Sequence, residues 1–581
     1  MKRFFISKSI LCLVIAFTLA AAFTGGILLR GGKAAHASSQ ESTKSHFCAH
    51  LNKHYWGSSG AQMYCFGSQP NGPAHATGTS PSVSANVNAA NPAEDRSPAG
   101  VQFYGQSETS IASVGSYVVE AWNDATAFGS PCLSPGFKEE LTGYGFSNNG
   151  GASFKDKGGL PNNNCGGDTY NGDPTVEAWR AGGTPYFYIG SLYNPPFSAP
   201  DQRSKLALAA CVVNGSGSSA TISCSQPIVV ASSSQCQTSN GFTFCSFLDK
   251  EFLTIDPVHG RLYMSYTEFS ITSPGTIEEL AVCDIGTPTG GTGPAGGKAG
   301  VPVCFSGARG SVRAPSAPYL VIAPPDTVNG CENEGSYPAV DVATGDLYVA
   351  FEHNSFAIFG SCGAQAVQEV VNYVPASCLT LPAASCSGPV HINTVSIISL
   401  QAAFIPGYNR FPMNDFPRIA VSDAARTVSI VWNDARFHLA GDILLQSFNL
   451  RSLTRVQTAS VRINSSTGGW HMLPALRNAD ASGNLNISFY GRSSATTAVT
   501  NVYVALAVNP RTGSTPANIL VTTVATNWLN VSSDIVPNFG DYTDNFVIAT
   551  PNAPFTGSKL YIAWSDGRLG EPQPFEAHTQ V

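Results

Sequence analysis

Charge is scarce in this chain: Asp, Glu, Lys and Arg together make up 12% of its 581 residues. So little charge excludes solvated helical bundles and coiled coils, whose outer faces need it. Helical periodicity is also missing throughout. No apolar run reaches the twenty or so residues of a membrane-spanning helix, the longest being Ile10 to Phe23. No Cys-x-x-Cys pair occurs, which argues against a zinc–thiolate site. A P-loop, a Gly-x-Ser-x-Gly elbow, a His-Glu-x-x-His motif and a regular EF-hand loop are absent too, and the few scattered histidines give a serine triad no support.

What is abundant is Gly and Pro, 57 and 38 residues. That composition suits many short strands joined by tight turns. Lys2, Arg3 and Lys8 precede the apolar run, and Ala35-His36-Ala37 follows it, the layout of a secretory signal cleaved after Ala37. The alternative is an uncleaved N-terminal anchor, since Arg30 and Lys33 lie unusually close to that cleavage site. Removal of Cys12 with the signal leaves fourteen cysteines, an even number that suits an oxidising compartment. Taken in chain order they pair as Cys48–Cys65, Cys132–Cys165, Cys211–Cys224, Cys236–Cys245, Cys283–Cys304, Cys331–Cys362 and Cys378–Cys386, a connectivity that sequence alone does not prove. The signal also carries five basic residues, which leaves 26 basic against 38 acidic, a balance of minus twelve that speaks against nucleic acid as a partner.

Residues 38–100 read as a low-complexity linker with one disulfide loop, and 101–581 as a single repetitive domain. The loop holds His54-Tyr55-Trp56, which either packs within it or binds something. Beyond Val101 one unit recurs: a polar turn, a strand, a Gly-containing turn, and a second strand ending in an aromatic residue. Clear copies are Asp249 to Phe269, Glu334 to Asn354, Asn414 to Arg436, Trp470 to Arg492 and Gly540 to Arg568, with weaker ones at Ser107 to Ala125 and Gly172 to Tyr193. Seven copies, each with room for two further strands, predict an all-β propeller of seven four-stranded antiparallel blades, or six if an end unit completes another blade. A pair of β-sandwiches would be as rich in strands but would not need seven similar units.

The segment Ser147-Asn148-Asn149-Gly150-Gly151-Ala152-Ser153-Phe154 resembles the Asp-box of sialidases and related BNR-repeat propellers, with Asn149, Ser153 and Phe154 in place of the usual Asp, Thr and Trp. The resemblance implies a turn between the outer strands of a blade, tied by side-chain hydrogen bonds, and says little about catalysis. It extends over roughly Val101 to Phe575. The family's pattern also implies an arginine triad, a Tyr nucleophile assisted by Glu, and an Asp acid/base. Its Arg-Ile-Pro-like motif near the first blade is not found here: Arg96 precedes the first unit, and Arg418 belongs to the fifth.

Turns before the first strand and after the second open on one face of such a disc. The former supply Glu108, Asp173, Asp249, Glu251, Glu334, Asp415, His471 and Asp541. The latter supply Asp124, Glu268, Glu352, His353, Asp434 with Arg436, Arg492, and Asp566 with Arg568. Three chemistries fit this face. Paired carboxyls, with Asp541, Tyr542, Asp434 and Asp566 as catalytic candidates, suit glycoside cleavage. Arg436, Arg492 and Arg568 suit a carboxylate or sulfate clamp. Clustered Asp and Glu suit calcium. The competing reading is structural: acids at strand ends tie turns, and a feature repeated in every unit fits that role better than a single catalytic centre. These readings imply an exported, monomeric protein that recognises a glycan or other polar ligand, as a binding or adhesion module or as a sialidase-type exo-glycosidase, and meets a membrane only through an uncleaved N-terminus.

Overall fold

The computed structural model describes residues 83–96, 101–128, 140–164, 167–196, 198–270, 275–306, 318–355, 366–401, 403–411, 413–514, 517–548 and 559–581. The expected signal peptide, the Cys48–Cys65 loop and the Cys132–Cys165 pair lie outside the described residues, as does Cys362, the expected partner of Cys331.

Seven sheets of four or more strands follow one another along the described chain. Their innermost strands are Gln106–Val114, Thr175–Ala181, Phe247–Asp256, Glu332–Asp341, Arg418–Ser422, His471–Ala475 and Asp544–Val547. Within each sheet neighbouring strands run antiparallel, so the expected all-β propeller is the fold observed, with four sheets of four strands and extra strands in the second, third and sixth. Each sheet packs on the next, and the seventh packs back on the first through Gln106–Val114. The seventh sheet takes its outermost strand from far upstream: Val87 lies opposite Glu576 and Asn88 opposite Phe575. Part of the stretch expected to be linker is therefore built into the last sheet, so the two ends of the domain are joined by backbone hydrogen bonds.

The core lies between the sheets. Val428, Ile430, Trp432, Leu444 and Phe448 of the fifth sheet meet Tyr348, Ala350 and Val371 of the fourth. Aliphatic and Phe side chains of this kind each stabilise the fold by about 1.5–3 kcal/mol. Strand alternation puts polar residues on the same surfaces, and many of the chain's acids are buried with them: thirty Asp and Glu residues are buried among the described residues, against five Lys and Arg. That imbalance governs the chemistry below.

Four disulfides join chain neighbours: Cys211–Cys224, Cys236–Cys245, Cys283–Cys304 and Cys378–Cys386. The first three bridge residues directly opposite each other on paired strands. Their presence points to an oxidising, extracellular setting. Among the described residues no helix is long and apolar enough to cross a membrane.

The Ser147 to Phe154 turn joins the outer strands Thr142–Ser147 and Lys155–Gly159 of the first sheet. Asn149 Oδ1 accepts from Ser153 N (3.0 Å), Asn149 Nδ2 donates to Ser153 Oγ (2.9 Å), and Ser147 Oγ accepts from Gly151 N (3.0 Å). Gly150 and Gly151 both have φ in the left-handed region, which explains why glycines stand there.

Candidate functional site

Four innermost strands carry the same irregularity. One extra residue is inserted between Ser107 and Ser110, between Asp249 and Phe252, between Glu334 and Tyr337, and between Met472 and Ala475. The bulged residues Glu108, Lys250, Gly335 and Leu473 all have positive φ, as does Asp173 at the corresponding place in the second sheet. Such bulges re-aim side chains, and left-handed non-glycine residues cost about 1 kcal/mol or more unless their surroundings hold them. At Gly335 a Cβ would collide with the Phe416 ring, so only glycine fits. The repeated bulge brings the polar groups of different sheets together at one place.

Lys250 occupies the middle of that place. Its Nζ lies 3.0 Å from Asp173 Oδ2 and 2.7 Å from Asp541 Oδ2, drawing together the second, third and seventh sheets. Arg410, from the segment leading into the fifth sheet, pairs with the same Asp541 oxygen and donates to Asn414 Oδ1 (2.8 Å). Asn123 binds Glu108 Oε2 (2.7 Å) and accepts from Asp173 N (2.6 Å), while Glu108 Oε1 accepts from Asp541 N (3.1 Å). Tyr542 donates to Pro174 O (2.9 Å). No group of three or more His, Cys, Asp or Glu among the described residues is arranged to hold a metal ion.

Burial opposes charge on Asp541, but Arg410 and Lys250 outweigh it and hold the carboxyl below its usual range. Burial alone would ease the proton off Lys250; Asp173, Asp249, Asp541 and Glu108 more than reverse this. For Glu108, burial and then Asp173 push the carboxyl well up; for Glu251, burial followed by Asp173 and Asp249; for Glu334, burial followed by Glu332. Burial lifts Asp249 to about 7, despite Lys250. Neither carboxyl oxygen of Glu251 has a hydrogen-bond partner among the described residues. Asp541, lowered, thus sits among Glu108, Glu251 and Glu334, which burial pushes the other way. Tyr542 is buried as well, and burial followed by Glu108 pushes its phenol well up.

Two further buried arginines pack against aromatic rings from several sheets. Arg418 Cζ lies 3.6 Å over the Tyr337 ring and 5.3 Å from Phe252, while Arg477 Cζ lies 4.9 Å from Phe252 and 5.5 Å from Phe546. Arg477 donates to Asp544 Oδ2 (2.7 Å), Glu177 Oε1 (2.7 Å), Val176 O (2.9 Å) and Leu253 O (3.2 Å), tying the sixth sheet to the seventh, second and third. Arg418 differs: it has no salt bridge, and its one hydrogen bond among the described residues runs from Nη2 to Thr543 O (3.3 Å). Burial lowers its affinity for the proton.

The other expected site residues have partners of their own. Asp434 accepts from Trp432 Nε1 (3.0 Å) and Arg436 Nε (3.0 Å); Asp566 accepts from Trp564 Nε1 (2.8 Å) and Arg568 Nε (3.0 Å). Asp124 accepts from Thr126 N (2.9 Å). Glu268 binds Ser234 N (2.7 Å) and the Ser246 hydroxyl, Asp415 the Ser399 hydroxyl and Asn433, and Glu352 the Gln401 amide (2.5 Å). His471 Nε2 meets Ser466 Oγ (2.8 Å), and His353 meets the Asn333 side chain. Arg492 donates to Thr500 Oγ1 (2.8 Å) and Pro406 O (2.7 Å). Arg436, Arg492 and Arg568 share no partner among the described residues. Sequence reasoning passed over Lys250, Arg410, Arg477 and Asp544, and placed Arg418 without using it. Lys250, a lone base between Asp249 and Glu251, was the available signal.

No family model matches the chain, and no curated protein does either. Solved structures show slight likeness. An α-L-arabinanase of Penicillium chrysogenum in complex with arabinobiose is 11% identical over 86% of this chain and 99% of its own, with a TM-score of 0.41. An α-L-arabinofuranosidase of Fusarium graminearum with arabinobiose is 11% identical over 86% and 98%, with a TM-score of 0.39. A sialidase of Trypanosoma rangeli with the inhibitor DANA is 10% identical over 88% of this chain and 60% of its own, with a TM-score of 0.34.

Proposed function

We propose that the chain is exported, its signal cleaved after Ala37, and that its seven sheets are the blades of a propeller that recognises an extracellular carbohydrate or similar polar ligand at the axial cluster. The observation that carries this reading is the buried Arg418. A buried guanidinium held among Tyr337, Tyr542 and Phe252 with no salt bridge among the described residues is a charge only partly compensated by those rings. An anionic or strongly polar ligand group would offset it, and Asp541, Lys250 and Arg410 lie on the same axis to order its hydroxyls. Glycan-array binding by the mature protein, weakened at least about tenfold in Arg418→Met, is the expected result. Unchanged binding in a folded variant would refute the assignment.

A second reading, exo-glycosidase activity, is favoured by the opposite shifts of two buried carboxyls, Asp541 lowered by Arg410 and Lys250 against its burial and Glu251 raised by burial. Two carboxyls driven apart in this way are the usual division into base and acid. Turnover of a fluorogenic glycoside panel that includes a sialoside, lost in Asp541→Asn and in Glu251→Gln, would support it. Binding without turnover on any panel member would leave a non-catalytic recognition or adhesion module.

A further inference from the structure

Antiparallel alternation fixes where the loops of a sheet emerge: the turn after its second strand and the link from its last strand to the next sheet leave at the same end. Around the fifth, sixth and seventh sheets these loops are 397–401 and 403–411, 435–441, 492–498, 528–543 and 567–572. Hydrogen bonds join them. Ala403 N donates to Leu400 O (2.8 Å), Ala435 N to Ile398 O (2.8 Å), Arg492 Nη1 to Pro406 O (2.7 Å), Asn538 Nδ2 to Gly407 O (2.7 Å) and Ser532 N to Gly570 O (2.9 Å). The loops of three sheets therefore make one continuous surface.

That surface is apolar. Among the described residues six Phe and Leu side chains are exposed, and five of them stand on it: Phe404, Phe437, Leu439, Leu529 and Leu569. Phe404 is 80% exposed and Leu439 89%. Apolar side chains gathered in this way, rather than scattered singly, mark a contact surface. The charges of the same loops are sorted by depth. Their three acids, Asp534, Asp541 and Glu571, are all buried. Arg436, His438 and Arg568 keep 26%, 31% and 10% of their side chains exposed, and each stands over a buried carboxyl, that of Asp434, Asp442 or Asp566. A chain with 38 acids against 31 bases thus turns towards solvent, on these loops, only apolar, neutral polar and basic groups.

We infer that this face settles on an anionic lipid surface, with the Phe and Leu tips entering the boundary between headgroups and acyl chains and the basic groups between them meeting lipid phosphates. Apolar side chains presented by several separate loops at one end of three sheets suit a continuous apolar layer better than a single pocket. The absence of exposed acid on these loops removes the repulsion that the rest of an acidic chain would feel near negative headgroups, and the outward cations add attraction. A second copy packed face to face would instead set one cation-bearing surface against another. The inference goes beyond the recognition of a ligand at the axial cluster and does not depend on it.

Co-sedimentation of the mature protein with vesicles tests this without any glycan. The protein should sediment with vesicles of phosphatidylcholine and phosphatidylglycerol in about equal parts, and at least about threefold less with phosphatidylcholine alone. The Phe404→Ser, Leu439→Ser double variant should bind at least about tenfold more weakly at an unchanged melting temperature. Should the loss of the Phe404–Phe411 stack (4.5 Å) unfold it, Leu439→Ser with Leu529→Ser serves instead, both side chains being exposed. Val258→Ser with Val301→Ser is the control. Those exposed residues lie in turns at the opposite end of the third sheet, and the pair should bind as the wild type does. No sedimentation with either vesicle, equal sedimentation with both, or binding that the loop variants leave intact would overturn the inference. So would a dimer in analytical ultracentrifugation that Phe404→Ser, Leu439→Ser dissolves, since the face would then belong to a second copy.

Discussion

Arg477 is the side chain whose removal should cost most. It is buried, donates to carboxylates on two other sheets and carbonyls on two, and packs between Phe252 and Phe546. Substitution by Met keeps much of the volume and removes all four hydrogen bonds. Breaking one side of a buried ion pair costs about 3–5 kcal/mol, because the partners stay buried without compensation. Burial already raises Glu177 to about 7, with Arg477 opposing. Without the guanidinium that carboxyl rises further, so the folded variant holds its proton to higher pH. The penalty should therefore be largest above about pH 8 and shrink towards about pH 5, where Glu177 is neutral in either protein. Urea midpoints measured at both pH values check this, with Arg477→Lys expected in between, since an ammonium cannot span four acceptors with a guanidinium's fork. A loss below about 1 kcal/mol in Arg477→Met, or one that does not change with pH, would refute the view that this residue ties the ring together.

Asp434→Asn should lower thermal stability, equivalent to about 1–3 kcal/mol, by weakening the ties to Trp432 and Arg436, yet leave glycan binding unchanged; a selective loss of binding would move Asp434 back into the site. Stability of the whole protein should decline from about pH 5 to about pH 8, since burial raises Asp95 to about 8 and Asp156, Asp249, Glu278 and Asp415 to about 7, a trend that thermal denaturation at a series of pH values reads directly. Asn149→Ala removes the hydrogen bonds that close an exposed turn and should cost only about 1 kcal/mol by calorimetry, with the axial site unaffected.

The fold was legible in the sequence because each unit writes out two strands and their turn, and strand alternation with a Gly-containing corner is a local signal. The repeats from Asp249 to Phe269 and from Glu334 to Asn354 are paired inner strands in the structure. Closure by Val87–Asn88 was not legible, since two residues in a Ser- and Asn-rich stretch carry no period and become a strand only by pairing with Gln573–Gln580. The site was half legible. Glu108, Asp173, Asp249 and Asp541, all ahead of a first strand, gather around Lys250, whereas Asp415 and His471 of the same set, like Asp434 and Asp566 at the end of a second strand, have partners of their own. Side-chain reach separates them: Asp434 and Asp566 each lie two residues beyond a Trp whose indole N–H they accept, which consumes them locally. Glu108 and Lys250 instead occupy a bulge with positive φ, and no feature of their immediate sequence announces that conformation. A repeated acid therefore identifies a strand end. What marks the site is the residue that breaks the repeat, and Lys250, the base standing where other units place an acid, a glycine or an apolar residue, is the one around which the others gather.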